Sequence, residues 1–313
     1  MKKTLSMLMA LCMILALAVG AHASGDPSGA APADGKLVTG SGAFTAEELM
    51  LRTAAWQECS NLAGKHEFYH SALEHRAELD NIWVNEAPWT ETMSWTNNTQ
   101  FMYGREAVYD FYCGVENEKK NWLRNAVASD EMGIIQNTED WEAAGMLWYH
   151  MLMSPVIEVA RDGQTAIGLW QSFGTVTQDR RAQWTCEDYT MVFARQSGGE
   201  WKIWHLRTFV HFYTGVDQHW YESNMATQGA SGEQPAGVGV MVSEDEIVED
   251  MSQPGTYKGH FYVGYDMYDV PVLATIPEPY DTWDDIADSF AWGGMQPLLG
   301  NNALHPTVIA NIS

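Results

Sequence analysis

Trp148 to Gln178 reads WYHMLMSPVIEVARDGQTAIGLWQSFGTVTQ, and the fold follows from how this stretch is read. Pro155-Val-Ile-Glu-Val carries β-branched residues, Arg161-Asp162-Gly163-Gln164 holds a glycine able to take φ > 0, and Thr165 to Val176 resumes an extended pattern. Together they predict a β-hairpin. Strict alternation along its first strand places Met151, Met153, Pro155, Ile157 and Val159 on one face. His150, Leu152, Ser154, Val156 and Glu158 then share the other.

Upstream of the hairpin the pattern is helical. Thr45-Ala-Glu-Glu48 reads as a capping box, with Thr45 as N-cap and Glu48 reaching back. Apolar residues then recur at Leu51, Ala55, Cys59, Leu62, Tyr69 and Leu73, with His66 and His70 at the edge of the stripe. Gly64 is expected to weaken or bend this helix, and His75 to Trp83 to form a second one. Thr92 to Trp95 and Phe101 to Tyr103 read as short strands around an Asn97-Asn98 turn, and Arg105 to about Asn125 as a third helix. Val127 to Ala143 reads as a loop. Downstream of the hairpin, strands are expected near Gln183 to Arg195 and Trp201 to Tyr213. Helices first and antiparallel strands after predict an α+β layer, a curved antiparallel sheet wrapped over N-terminal helices.

Three blocks carry a resemblance: the hairpin, with a strand begun through His150 and then S-P-V-I-E-V, D-G and T-A-x-G-x-W; Gly104-Arg-Glu-Ala-Val; and Gly198-Gly-Glu-Trp-Lys-Ile-Trp-His-Leu. In this order they resemble the SnoaL-like branch of the nuclear-transport-factor-2-like superfamily, over roughly Thr45 to Tyr213. That resemblance implies a cystatin-like α+β cone whose mouth holds a small aromatic or polyketide-like molecule. It also implies acid-base chemistry of the lyase, dehydratase or isomerase type without a cofactor, and a homo-oligomer. His150 matches the family's strand histidine, while Tyr69, His70 and Glu74 fall near its helix acid-base positions. On the last strand, alternation puts Trp201, Ile203, His205, Arg207, Phe209 and His211 on one face, so that His205 would point inward. The candidate catalytic set is therefore His150, His70, Tyr69 and His205. Imidazoles facing one another across an apolar site can remove a proton and return it elsewhere. Glu187 and Asp188 are further candidate acids, at least one of which should face solvent, because neighbours on a strand point opposite ways. The alternative is a secreted binding or assembly protein without catalysis, since one fold hosts both.

A competing motif lies in the first helix. His66-Glu67-Phe-Tyr-His70 matches H-E-x-x-H, in which two histidines one turn apart bind zinc and the Glu is the base. Gly64-Lys65 replaces the apolar lead-in and no x-x-G-x-x-H continuation follows, so the zinc-peptidase reading with His66 and His70 as ligands is the weaker one and no metal is expected.

Composition bounds the rest. A net charge of -24, from 17 Lys+Arg against 41 Asp+Glu, repels phosphate backbones and anionic lipid surfaces, which argues against nucleic-acid and bilayer partners. Residues 1–23 read as a signal peptide, with Lys2-Lys3, an apolar run from Leu5 to Val19 and Ala21-His22-Ala23 before the cut, and predict an exported protein starting at Ser24. Residues 24–44, rich in Gly, Ala, Ser and Pro, read as a leader without structure of its own. The SnoaL-like domain spans 45–225, a Gly-rich acidic linker 226–255, and an extended C-terminal arm 256–313 expected to drape over the main domain or a second subunit. Cys59, Cys113 and Cys186 show no zinc spacing and read as packing residues.

Overall fold

The structure is a computed structural model that describes residues 35–72, 74–98, 100–113, 147–178, 181–222, 254–258, 265 and 274–286. The expected signal peptide, the acidic linker up to residue 253, the loop at 127–143 and the end of the third helix lie outside the described residues. The chain divides into two compact units, Met1–Ala54 and Ala55–Ser313.

In the first unit, β1 (Leu37–Thr39) pairs antiparallel with β2 (Gly42–Phe44). The described end of the expected leader is thus a small hairpin. Its turn closes through Thr39 Oγ1, which donates to the Gly42 carbonyl at 3.1 Å and accepts from Ser41 N–H at 3.2 Å. The capping box forms as read, with Thr45 N–H donating to Glu48 Oε2 at 2.7 Å and Glu48 N–H to Thr45 Oγ1 at 3.2 Å.

It starts α1 (Ala46–Ala72), which runs through Gly64 without interruption. Gly64 faces open space, so it costs helix propensity but opens no kink. Between Ala55 and Ala72 the buried stripe is Ala55, Cys59, Leu62, Ala63, His66 and Glu67, so two ionisable groups sit inside the core-facing surface. The next helix is α2 (His75–Ile82), which buries His75, Glu78, Leu79 and Ile82. A short α3 (Trp89–Thr92) precedes β3 (Ser94–Thr96), and β4 (Gln100–Tyr103) precedes α4 (Arg105–Cys113).

The sheet of the second unit has seven strands, adding β5 (Leu147–Val159), β6 (Thr165–Gln178), β7 (Arg181–Arg195), β8 (Trp201–Gly215) and β9 (Gly255–Lys258). Their order is β5-β6-β7-β8-β3-β4-β9. The α+β curved sheet is as expected, with one correction: β3 runs parallel to β8, so the sheet is not wholly antiparallel. The hairpin turn also forms as read, with Gly163 at φ 69° and its N–H donating to the Ala160 carbonyl at 3.0 Å.

Bulges on β5 and β8 overturn the simple alternation. On β5, Met153 pairs with Gln171 and Val156 with Leu169, so Ser154 and Pro155 together oppose Trp170 alone. Pro155 cannot donate to a ladder and Ser154 takes φ 52°, so this Ser-Pro step is where the strand gives up regular pairing. The extra residue flips the parity. His150 and, beyond the bulge, Ile157 and Val159 are buried together, while Met151 and Met153 are exposed. On β8, His205 pairs with Val192 and Ile203 with Phe193, leaving Trp204 extra. Val192 and Phe193 point to opposite faces, and so therefore do His205 and Ile203. The expected single face from Trp201 to His211 does not exist.

Segments of the C-terminal arm pack on this unit. β9 pairs with β4, Tyr265 N–H donates to the His211 carbonyl at 2.7 Å, and Arg161 N–H donates to the Tyr280 carbonyl at 3.0 Å.

The β5 bulge decides which residues face the helices, and deleting one residue tests it. Removing Ser154 must expose either His150 or the Ile157 and Val159 pair, at a cost of roughly 3 kcal/mol or more for two buried aliphatic side chains. Ser154→Gly keeps the residue count and should stay within about 1 kcal/mol of the parent. Urea unfolding of the two variants makes the comparison.

Candidate active site

Where α1, α2, α4, β5 and β7 meet, their polar side chains form one buried cluster. Its centre is Glu78 of α2. His66 Nδ1–H donates to Glu78 Oε1 at 2.7 Å, and the Trp83 indole N–H donates to the same oxygen at 3.0 Å. His75 Nδ1 stands 3.5 Å from Glu78 Oε2, close enough for charge attraction but without hydrogen-bond geometry. Burial alone would raise the Glu78 pKa; His66, through charge and hydrogen bond, and then His75 outweigh it and hold the carboxyl well below the usual carboxylate range. Burial likewise pushes His66 down, but the Glu78 carboxylate, reinforced by Glu67, raises it above the ordinary imidazole value.

His70 sits one helical turn on from His66. Its ring lies 5.6 Å from His66, 5.1 Å from His75, 5.1 Å from Trp148 in a stack, and 5.9 Å from His150. Burial, then the neighbouring imidazoles, push His70 well below its ordinary value and keep it neutral. His150 faces these helix residues from the sheet, with Nδ1 3.5 Å from Glu187 Oε1. Burial lowers His150 more than Glu187 raises it. The Glu187 carboxylate is held in turn by the Thr185 hydroxyl and by Tyr213 Oη, which donates at 3.2 Å.

Glu67 completes the charge pattern. It is buried, its two oxygens have no hydrogen-bond partner among the described residues, and burial pushes its pKa up to about 8 against a weaker pull from His66. A carboxylic acid that stays largely protonated at pH 7 therefore lies 4.0 Å from the His66 imidazole. Tyr112 and Tyr189 border the rings, with Tyr112 5.1 Å from His75 and Tyr189 6.3 Å from His150. Burial first, then Glu78 for Tyr112 and Glu187 for Tyr189, raise both phenols well above 10.0, so they remain O–H donors.

The sequence-derived set divides. The structure brings His70 and His150 together. His205 lies on the other face of the sheet, set there by the Trp204 bulge, hydrogen-bonded to Ser94 Oγ at 2.9 Å and stacked near Trp283 at 5.9 Å. Tyr69 is half-buried, and its Oη accepts from Asn81 Nδ2 at 3.2 Å in an exposed position away from the imidazoles. Glu187 and Asp188 point to opposite faces, as alternation requires, but neither faces solvent. Asp188 is buried, 3.2 Å from His211 Nε2 and accepting the Ala274 N–H at 3.4 Å. Of the H-E-x-x-H pair, the His66 and His70 rings stack with centres 5.6 Å apart, and His66 Nδ1 is bonded to Glu78.

Residues 94–207 match the family model of the SnoaL-like domain. The chain carries a SnoaL-like domain. No curated protein matches the chain by sequence. Among solved structures it is similar to the hexachlorocyclohexane dehydrochlorinase LinA-type3 of Novosphingobium barchaimii LL02, at 16% identity over 54% of this chain and 95% of that one, with a TM-score of 0.38. It is also similar to an NTF2-like superfamily protein of Salmonella enterica serovar Typhimurium LT2, at 14% identity over 54% of this chain and 99% of that one, with a TM-score of 0.37. The SnoaL-like match contains Tyr112, His150, Glu187 and Tyr189, whereas His66, Glu67, His70, His75 and Glu78 precede it.

Glu67 supplies a test of the site's electrostatics. A carboxyl raised from 4.5 to about 8 contributes stability that is fully present below the unfolded value and lost as pH rises through the folded one. Glu67→Gln removes that loss. Its melting temperature should match the parent near pH 4.5 and exceed it above pH 8, by roughly 2–4 °C for each 1 kcal/mol recovered. Parallel melting curves across that range would contradict the raised carboxyl.

Proposed function

We propose that the chain is an exported SnoaL-like enzyme that moves protons on a small aromatic or polyketide-like molecule, in a lyase, dehydratase or isomerase reaction. The observation that carries this reading is the buried His150–Glu187 pair facing the helix imidazoles, 3.5 Å from nitrogen to oxygen. With Nδ1 turned toward Glu187, Nε2 is the nitrogen turned away from it, and the neutral ring can take a proton there. Glu187 orients the ring and stabilises the imidazolium that forms.

In the reaction envisaged, Nε2 removes a proton from carbon beside a carbonyl, and the electron pair passes to the carbonyl oxygen. A buried phenol O–H such as Tyr112 stabilises the oxyanion by hydrogen bonding. The pair then returns to form the double bond as the leaving group departs from the adjacent carbon, taking its proton from neutral Glu67. His70 lines the site between Trp148, on which it stacks, and the tilted ring of His150 in this scheme, and such aromatic faces suit a flat substrate. Tyr69 and His205 have no part in it.

The test begins with a thermal-shift screen of small aromatic carbonyl compounds, since a ligand that prefers the native state raises the melting point. Turnover of the hits follows. His150→Gln should lose about 10²–10⁴-fold in kcat/KM with its circular dichroism intact. The parent's kcat/KM should rise through a His150 pKa below 6.5 and fall again near pH 8 as Glu67 ionises. Full turnover by His150→Gln would remove it from the mechanism.

Export rests on Lys2-Lys3, the apolar run and Ala21-His22-Ala23. N-terminal sequencing of protein recovered outside the cytoplasm should begin at Ser24; a chain still carrying Met1 there would refute cleavage.

A further inference from the structure

We infer that His70, His75 and Glu78 form a binding site for a divalent first-row transition ion. Each of the three offers one ligand atom, and these atoms lie within 4.8 Å of one another. Two imidazoles and one carboxylate are a donor set suited to zinc or iron, and three protein ligands leave coordination positions open.

Helix geometry explains the convergence. His75 and Glu78 are three residues apart on α2 and share one face. His70 lies in the last turn of α1 and His75 in the first turn of α2, and the two imidazoles come to 5.1 Å between ring centres.

The polar atoms are arranged as a metal site requires. His70 Nδ1, His75 Nδ1 and Glu78 Oε2 are all buried, and among the described residues none of them has a hydrogen-bond partner. The other oxygen of Glu78 is fixed by His66 Nδ1–H at 2.7 Å and by the Trp83 indole at 3.0 Å. Outer groups of this kind orient a carboxylate ligand and leave its second oxygen for the ion. The 3.5 Å between His75 Nδ1 and Glu78 Oε2 already approaches the roughly 3.3 Å expected of two ligands at tetrahedral angles with bonds of about 2.0–2.1 Å. The His70 ligand atom lies within 4.8 Å of both. A bland reading, in which these are core polar groups satisfied by one another, conflicts with the atoms themselves, since buried groups without partners are rare in native structures. The set also differs from the H-E-x-x-H pair, using His70 but replacing His66 with His75 and Glu78.

The site adjoins the one assigned above to proton transfer, but binding is read without turnover. The full untagged chain is stripped with EDTA and titrated with Zn²⁺ alone, with Mg²⁺ as the hard-cation control. One zinc per chain by elemental analysis, a higher melting temperature with Zn²⁺ and none with Mg²⁺, and a tetrahedral absorption band with Co²⁺ are expected. His75→Gln should weaken zinc binding at least 100-fold, and Trp83→Phe, which removes a hydrogen bond to Glu78, about 10-fold or more. Should His75→Gln fail to fold by circular dichroism, His70→Gln carries the same prediction. A parent that takes up no zinc, or a folded ligand variant that binds it as tightly as the parent, overturns the proposal. A chain that binds zinc yet turns over no aromatic compound refutes the proton-transfer reading alone, and turnover without zinc uptake refutes the metal site alone.

Discussion

The contact between His66 and Glu78 is the constraint on which the helical side of the site depends. It joins α1 to α2, at 2.7 Å, with both side chains out of water. A buried ion pair gives little net stability, because desolvation offsets most of the attraction, but removing one partner costs about 3–5 kcal/mol. The pair therefore fixes geometry more than it adds stability. Once Glu78 is fixed, His75 follows one turn before it on α2 and His70 one turn after His66 on α1, so the spacing within each helix delivers the other imidazoles to the same place.

The sheet side obeys a different constraint. β5 and β6 approach so closely at His150 that a Cβ on Gly174 would stand 2.3 Å from the Tyr149 carbonyl oxygen and 3.1 Å from the His150 Cα. Glycine is required there by backbone proximity, and the strand position of His150 is thereby set. The bulge four residues later then turns Ile157 and Val159 into the same buried face. One strand thus supplies a polar wall near its start and an apolar core near its end, which unbroken alternation could not do.

The sequence showed the hairpin, the capping box, the helix order and the α+β arrangement, because each is written in local periodicity or turn chemistry. His70 and His150 were legible as candidates for the same reason. His205 was misplaced because a bulge at Trp204 reverses parity, and no residue type in Trp201 to His211 marks where the extra residue falls. Glu78 was missed because its meaning depends on His66, 12 residues back on α1. The i, i+3 spacing of His75 and Glu78 was a usable signal, obscured by reading H-E-x-x-H as the metal motif. At least one of Glu187 and Asp188 was expected in solvent and neither is: Asp188 is covered near Ala274, a contact 86 residues away that no local pattern announces.

Energetics decide whether so many buried polar groups can be merely structural. Around the cluster, Glu67 Oε1 and Oε2, His70 Nδ1, His75 Nδ1, Glu78 Oε2, Tyr112 Oη, Trp148 Nε1 and His150 Nδ1 are buried without hydrogen-bond partners among the described residues. Each such atom costs about 1–3 kcal/mol. The nearby carboxylates of Glu78 and Glu187, each at 3.5 Å, relieve His75 and His150 in part. Even with those two and Glu78 Oε2 discounted, the rest cost at least roughly 5 kcal/mol, against a total stability of about 5–15 kcal/mol for a typical domain. A core selected for stability alone would replace such groups with aliphatic ones. Their retention at one place, on both helices and the sheet, is what a site has when bound molecules or ions supply the missing partners.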